Sequence, residues 1–201
     1  MSLTDKLKRG VASGFPKDMK PDPSILLHQN IPKPLHGVAP RTVLGLNWWN
    51  RERLACYKST NFHCLACGVH KSRAKLRQWV EAHEQYEIDY ARGIAKYVGA
   101  VPLCHCCHNF IHDGRLQALL EQGKIHHSKF VSIIQHGEEV LARAGLTRPT
   151  HAEREAVVDQ LAINGKVAEW SSWRLQIGRK RFPPKFATME EWIKHYSGED
   201  E

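Results

Sequence analysis

Apolar residues along the chain switch between helical and strand-like spacing, and these switches define the predicted elements. Between residues 47 and 59 they recur on one helix face, which predicts a helix with Asn47 as its cap. Residues 78–84 and 94–103 have the short apolar runs of strands, and Gly93 between them is a turn signal. The pattern therefore predicts a β-hairpin in the middle of the chain.

The C-terminal half returns to helical spacing. A helix is predicted from about Cys107, and the pair Asp113-Gly114 is expected to break it before it resumes over residues 115–122. Three further helices and one hairpin are predicted: a helix over 128–144 capped by Ser128, a helix over 150–163, a hairpin over 169–182, and a last helix capped by Thr188.

The first forty residues differ from the rest in composition. They contain six of the ten prolines, which excludes a long helix there. Their basic start fits either an arm that contacts phosphates or a tail that lies on the surface. We therefore expect an α+β chain with a Pro-rich basic N-terminal arm (1–40), a core (41–125), and a helical region with a C-terminal hairpin and short helix (126–201).

The chain of 201 residues has a formal net charge of +8 and is 42% hydrophobic. This content can bury a small core, and no apolar run approaches the roughly 20 residues of a membrane span. We expect no membrane partner, and the positive charge favours a polyanion. Six cysteines without an apolar N-terminal signal segment favour a cytoplasmic location.

Two pairs of cysteines have the spacing of a structural zinc site. Cys64 and Cys67 are three residues apart, and so are Cys104 and Cys107. Zn²⁺ prefers four thiolates in a tetrahedron, and two such turns can clamp distant segments to one ion. Cys106 could replace either of its neighbours, but the matching gap favours Cys104 and Cys107.

Three histidines predict a second, catalytic metal site. His108 and His112 are four residues apart, so one face of a helix would carry both. His83 is predicted at the end of the first strand, where the zinc clamp would turn it towards them. Two imidazoles can hold a divalent cation and leave positions for water and phosphate, and a third can accept a proton from water.

The order Cys-x-x-Cys, Glu-Ala-His-Glu and Leu-Cys-x-x-Cys-His-x-x-x-His over residues 62–115 resembles the zinc-bearing HNH endonucleases of the ββα-metal superfamily. The resemblance implies a ββα-metal core stapled by a four-cysteine zinc and surrounded by additional helices. It implies His83 as general base, His108 in the central Asn-or-His position and His112 in the final His position. The reaction would be hydrolysis of DNA phosphodiester bonds with Mg²⁺, Mn²⁺ or Ni²⁺.

The resemblance has one departure. Many members carry Asp or His directly before the base as a metal ligand, whereas this chain has Ala82. Either this ligand is missing here, or a nearby carboxylate, Glu84 or Glu81, replaces it, and we favour Glu84 as a ligand beside His108 and His112. In the alternative, shifted by one residue, His83 is the ligand and Glu84 the base.

Two clusters of cations are expected to contact DNA phosphates. One precedes the first strand, where alternation would place its members on one face if the segment is extended. The other forms the tip of the C-terminal hairpin. The first cluster is Lys71, Arg73, Lys75 and Arg77, and the second is Arg179, Lys180 and Arg181.

The main alternative to a nuclease is a non-catalytic zinc module that docks nucleic acid or a protein partner. Such a module would not require the three histidines. RNA is a less favoured substrate because the chain lacks an aromatic RNA-binding sheet signature. The resemblance covers phage-encoded, homing and host-defence enzymes of bacterial cells alike, and leaves the target sequence and the oligomeric state open.

Overall fold

The computed structural model describes residues 15–197, which fold into an α+β structure of seven α-helices and one four-stranded sheet. None of these helices combines the length and apolarity that spanning a bilayer requires. In chain order the elements are α1 (Pro40–Val43), α2 (Leu46–Ser59), β1 (Val80–Asp89), β2 (Ile94–Cys104), α3 (His105–Ile111), α4 (Asp113–Glu121), α5 (His127–Arg143), α6 (His151–Ile163), β3 (Arg174–Ile177), β4 (Lys180–Phe182) and α7 (Met189–Ser197).

The sheet is mixed, with the strand order β1-β2-β3-β4. Strands β2 and β3 are parallel, with Ile94 opposite Arg174, and β3 and β4 are antiparallel, with Leu175 opposite Phe182. Parallel neighbours need a long crossover connection. Helices α3 to α6 lie in the stretch of chain that connects β2 to β3.

The chain divides into two compact units, each assembled from three separate stretches. Strands β1 and β2 each contribute residues to both units. The hydrophobic pattern could not delineate the units because they interleave along the sequence. Unit 1 contains the stretch ending at Leu27, Arg53–His83 and Val101–Arg148; unit 2 contains His28–Glu52, Glu84–Ala100 and the stretch from Pro149 onward.

The core of unit 1 forms where α3 packs against α5. Phe110 of α3 lies on Gly137 of α5, and a Cβ atom at position 137 would overlap the phenyl ring. Glycine therefore lets the two helix backbones approach closely. Ile25 and Leu26, from the Pro-rich start of the chain, are buried in the same core.

The core of unit 2 surrounds Trp173, which is almost fully buried together with Leu35, Ala95 and Leu175. The Trp173 indole Nε1 donates a hydrogen bond to the Ala168 carbonyl oxygen at 3.2 Å. This bond satisfies the polar atom that a buried tryptophan brings into a core.

Most of the predicted elements are confirmed. The central hairpin strands β1 and β2 meet at a turn that contains Gly93 with φ of 65°. Thr150 caps α6 through a capping box, in which its Oγ1 accepts from the Glu153 backbone N–H at 3.2 Å. Thr188 Oγ1 likewise accepts from the Glu191 backbone N–H, and the short C-terminal hairpin is present as β3 and β4.

Two predicted helix caps are wrong. Helix α2 begins at Leu46, so Asn47 lies inside it. Helix α5 begins at His127 with His126 in the cap position, so Ser128 also lies inside the helix. In both cases the favoured capping residue is the second residue of the helix, so residue type alone does not locate the boundary.

Two predictions about the histidine region are also wrong. The helix break falls at His112, with φ of −90° and ψ of 44°, and not at Asp113-Gly114. His108 and His112 therefore do not share one continuous helix. Strand β1 continues to Asp89, which places His83 in the strand interior and not at its end.

Candidate metal centres

Four cysteine side chains converge in unit 1. The Sγ atoms of Cys64, Cys67, Cys104 and Cys107 all lie within 4.8 Å of one another, and three of the four residues are buried. Sulfur atoms about 2.3 Å from one Zn²⁺ in a tetrahedron are about 3.8 Å apart. The Sγ atoms of Cys67 and Cys104 are 3.8 Å apart. All six cysteines lie within residues 15–197, and none is disulfide-bonded, so the group could hold a metal such as zinc.

Backbone geometry positions both cysteine pairs. The turn after Cys64 closes through a hydrogen bond from the Gly68 N–H to the Cys64 carbonyl oxygen at 2.8 Å, and Gly68 has φ of 75°. Only glycine adopts that backbone conformation at low cost. In the second pair Cys104 is the N-cap of α3, and its Sγ accepts from the Cys107 backbone N–H at 3.5 Å. Both turns thus aim their sulfur atoms to the same point.

The pKa shifts of Cys64 and Cys107 show why a cation suits the group. Burial raises the pKa of Cys64, but hydrogen bonds from the other three thiols outweigh burial and hold that pKa well below its usual range. The hydrogen bond with Cys104 raises the pKa of Cys107 well above its usual range. The negative charge of one thiolate thus makes ionisation of the next thiol less favourable. A divalent cation would remove this repulsion by balancing the charge.

The structure also decides which cysteines belong to the group. Burial raises the pKa of Cys106 to about 12, and its thiol lies 4.0 Å from the Lys75 carbonyl oxygen. Cys106 and Cys56 are buried residues outside the group of four. The expected choice of Cys104 and Cys107 over Cys106 matches the geometry.

His136 on α5 contacts two of the four sulfur atoms. Its Nε2 lies 3.4 Å from Cys107 Sγ and 3.7 Å from Cys104 Sγ. A donor in this place orients thiolate ligands and reduces their excess charge. Sequence reasoning missed this role because nothing in the spacing connects position 136 with the cysteine pairs.

Three histidine side chains form a second group in unit 1. His83, His108 and His112 each offer a ring nitrogen within 4.8 Å of the other two. Ring centroids are 5.5 Å apart for His83 and His108, 5.1 Å for His83 and His112, and 5.0 Å for His108 and His112. His83 is only 3% exposed. Three imidazoles at these distances could share one divalent cation.

Glu81 orients His108 of this second group together with the neighbouring His105. One carboxylate oxygen lies 2.6 Å from His108 Nδ1 and the other lies 2.9 Å from His105 Nδ1. Burial raises the pKa of Glu81, but these two hydrogen bonds outweigh burial and hold the pKa below its usual range. The carboxylate therefore fixes the His108 ring and leaves Nε2 for a cation, as carboxylates do behind metal-binding histidines.

Glu84, which we expected beside His108 and His112, is not part of the histidine group. The group contains three histidines and no carboxylate among the described residues. Successive residues of β1 point to opposite faces, so the side chain after His83 leaves the face that His83 occupies. Glu81 is two residues before His83, on the same face of the strand.

A buried arginine contacts the backbone before His112 and the side chain of the residue after it. The Arg148 guanidinium donates to the Phe110 carbonyl oxygen and, at 2.8 Å, to the Ile111 carbonyl oxygen. It also lies 3.4 Å from an Asp113 carboxylate oxygen, and its side chain is 5% exposed. These contacts cap the C-terminal end of α3 at the junction where His112 leaves the helix. No sequence pattern indicates this role, because the contacts span more than thirty positions.

The first cationic cluster does not form the predicted extended face. Lys71 and Arg73 belong to a short 3-10 turn, and bends follow up to Val80. The Lys71 ammonium lies 3.9 Å from the Phe62 ring centroid and 4.3 Å from that of Trp79. Burial against these rings lowers the Lys71 pKa. Arg73, Lys75 and Arg77 are exposed.

The second cationic cluster lies on the C-terminal hairpin of unit 2. Arg179, Lys180 and Arg181 are all exposed, and Lys180 and Arg181 belong to β4. The Arg181 Nε donates to the Gln176 side-chain oxygen at 3.2 Å across the hairpin. The cluster is therefore held on a short, defined turn.

Comparisons with known proteins found no match: no family model, no curated protein and no solved structure corresponds to this chain.

Proposed function

We propose that the chain is a metal-dependent endonuclease of the HNH type that hydrolyses DNA phosphodiester bonds. The observation that carries the proposal is the convergence of His83, His108 and His112, in the same unit as a four-cysteine group. A module that used zinc only for its fold would not require this second group. The elements follow in the order β1, β2, α3, with His83 in β1, His108 in α3 and His112 directly after α3. This order supports a ββα-metal core.

In this proposal the cysteine group has a structural role. Cys64 and Cys67 come from the loop after α2, and Cys104 and Cys107 come from the start of α3. One Zn²⁺ held by the four thiolates fastens these segments together. Because α3 also carries His108, the same ion helps to fix the position of His108 in the histidine group.

The histidines have different roles. His108 and His112 hold a divalent cation such as Mg²⁺, Mn²⁺ or Ni²⁺, which when bound supplies positive charge to the scissile phosphate and the leaving oxygen. His83, buried beside them, accepts the proton of the attacking water. Glu81 keeps the His108 ring in the orientation that presents Nε2.

DNA is the polyanion that we propose as substrate. The net charge of +8 and the exposed cations at Arg73, Lys75 and the 179–181 turn favour phosphate contacts. Binding through such contacts weakens steeply as the salt concentration rises, and an affinity that does not change with salt would contradict this part of the proposal.

Plasmid nicking tests the proposal. Zinc-loaded wild-type protein is incubated with supercoiled plasmid and Mg²⁺, Mn²⁺ or Ni²⁺, and we expect nicked or linear product. Replacement of His83 by Ala should lower the rate about a hundred- to ten-thousand-fold, as expected for loss of a general base. His127→Ala, at an exposed histidine of α5, is the matched control and should retain the wild-type rate.

The same variants separate the two roles open to His83. If His83 is the base, His83→Ala loses activity but binds the divalent cation as wild type does. If His83 is a metal ligand, affinity for the cation falls with activity. Wild-type protein that binds DNA but is as inert as His83→Ala with every metal would instead identify a non-catalytic module.

A further inference from the structure

Leu76 stands out on the surface of unit 1. Its φ is 63°, in the left-handed region that residues with large side chains rarely adopt, and its side chain is 52% exposed. It belongs to a segment that we call the basic loop, residues 71–79, between α2 and β1. An isolated exposed leucine is common, but one displayed by an unfavourable backbone conformation requires a specific reason.

Contacts on both sides hold Leu76 in place. Before it, Ala74 is buried in the core of unit 1, and the Lys75 carbonyl oxygen lies 4.0 Å from the Cys106 thiol. After it, the Arg77 N–H donates to the Lys75 carbonyl oxygen at 2.7 Å, which closes a tight turn around Leu76. The loop therefore presents Leu76 as a fixed tip.

The end of the basic loop is also anchored. The Trp79 ring packs edge to face on Tyr57, with centroids 6.1 Å apart, and lies 5.9 Å from the Phe62 ring. The Lys71 ammonium lies 4.3 Å from the Trp79 ring centroid. Trp79 is thus engaged by its own neighbours, which leaves the aliphatic Leu76 as the apolar group at the tip.

The charged residues within the basic loop are all cationic. Residues 71–79 contain four cations and no acidic residue, and Lys75 and Arg77 directly flank Leu76. Arg77 also forms an ion pair with Glu81 at 3.2 Å, and Glu81 holds His108. A polyanion bound at the basic loop would therefore lie close to the histidine group.

We infer that the basic loop enters the minor groove of duplex DNA and that Leu76 inserts between adjacent base pairs, kinking the duplex at the histidine group. This inference rests on the proposed nuclease function and adds the form of its substrate. Apolar wedges flanked by cations partly unstack a base step, and the resulting kink increases the DNA surface that the protein contacts. Single-stranded binding would instead favour an aromatic face for base stacking, whereas the residue at the tip is aliphatic and Trp79, 36% exposed, packs on Tyr57 and Phe62.

Leu76→Ala tests the inference on two substrates of one sequence, a fully paired duplex and a duplex already kinked by a two-nucleotide bulge. DNA bending is followed by energy transfer between end labels in a His83→Ala background, so that the DNA stays intact. Cleavage rates are measured with His83 present. Leu54→Ala, at a 43% exposed leucine of α2 in the same unit, is the control.

We expect wild-type protein to kink the paired duplex and Leu76→Ala to leave it straight. Leu76→Ala should cut the paired duplex about tenfold more slowly than wild type, since it no longer offsets the cost of unstacking. It should cut the bulged duplex at the wild-type rate, because the kink is already present. Leu76→Met, which keeps a large apolar tip, should restore bending, and thermal unfolding should match wild type for all three leucine variants.

Two results would overturn the wedge while leaving the nuclease intact. In one, Leu76→Ala bends and cuts the paired duplex as wild type does. In the other, it loses rate equally on both substrates. If wild-type protein cuts neither substrate with any metal, the proposed nuclease function is wrong. This outcome depends on the wild-type protein alone and not on the Leu76 variants.

Discussion

The cysteine group and the histidine group lie in the same unit and share helix α3, but they depend on different kinds of information. Each cysteine pair is local: three residues and one tight turn bring two sulfur atoms together. The histidine group combines one residue from β1 with two from α3 and its C-terminal junction, and the contacts that orient it come from Glu81 and Arg148. Local spacing can therefore indicate candidate ligands, whereas tertiary contacts decide how those side chains are held.

The largest expected effect concerns the cysteine group. Cys64→Ser should remove zinc and unfold unit 1, because structural zinc contributes about 10–16 kcal/mol of apparent binding free energy in small zinc domains. Zinc content and circular dichroism melting measure the two losses. Cys56→Ser, at a buried cysteine outside the group, should keep zinc and cost only about 1–3 kcal/mol. A folded, zinc-free Cys64→Ser protein would contradict the structural role.

The histidine group should respond to changes in its supporting carboxylate. Glu81→Gln should lower the affinity for Ni²⁺ or Mn²⁺ about 10- to 100-fold, since it weakens the partner that orients His108, while zinc content stays unchanged. Titration calorimetry measures the affinity. Glu84→Gln is the matched control and should bind as wild type does. If Glu84→Gln is the weaker binder, Glu84 is a ligand after all and the assignment of Glu81 fails.

Helix α3, which the two groups share, can be displaced by a substitution that changes no cysteine or histidine of either group. Gly137→Ala forces a methyl group into the Phe110 ring and should destabilise unit 1 by about 1–3 kcal/mol, although alanine gains about 1 kcal/mol in helix propensity. Urea unfolding measures the change. In a Phe110→Leu background the same substitution should cost less, because the clash is relieved. An equal cost in both backgrounds would place the strain elsewhere.

The smallest expected effect is at Arg148. Arg148→Lys keeps the charge but loses the planar fork that reaches two carbonyl oxygens, so we expect a loss of about 1–2 kcal/mol in unfolding free energy. Affinity at the histidine group should also fall, because His112 lies at the released junction. Arg143→Lys, at an exposed position of α5, should change neither quantity. A variant that loses stability but binds the cation as wild type does would make Arg148 a structural residue only.

Much of the fold could be predicted from the sequence because its elements follow local rules. The central hairpin, α6 with its capping box, and the C-terminal hairpin all have turn or capping residues next to apolar runs. The predicted caps at Asn47 and Ser128 are wrong because a favoured capping residue near the start of an apolar run does not by itself locate the first helical residue. The interleaved units could not be predicted, since no local pattern reports which distant stretches pack together.

In the candidate sites, too, the features set by local spacing could be predicted and those set by distant contacts could not. The four cysteines and three histidines could be named from spacing and resemblance, and they converge as two groups. Glu84 could replace Glu81 beside His83 only if the strand bent at its end, but β1 continues to Asp89 and Glu81 is the carboxylate that contacts His108. His136 and Arg148 act through contacts across about thirty to forty positions, which a single sequence does not reveal.

Titration of Ni²⁺ into zinc-loaded protein tests the central claim most directly, because it counts the second metal site independently of any substrate. We predict that wild-type protein binds one Ni²⁺ in addition to its zinc, and that a His108→Ala, His112→Ala double variant keeps zinc but no longer binds Ni²⁺. If wild type binds no ion beyond zinc, or if the double variant binds Ni²⁺ as wild type does, the three histidines do not form a metal site.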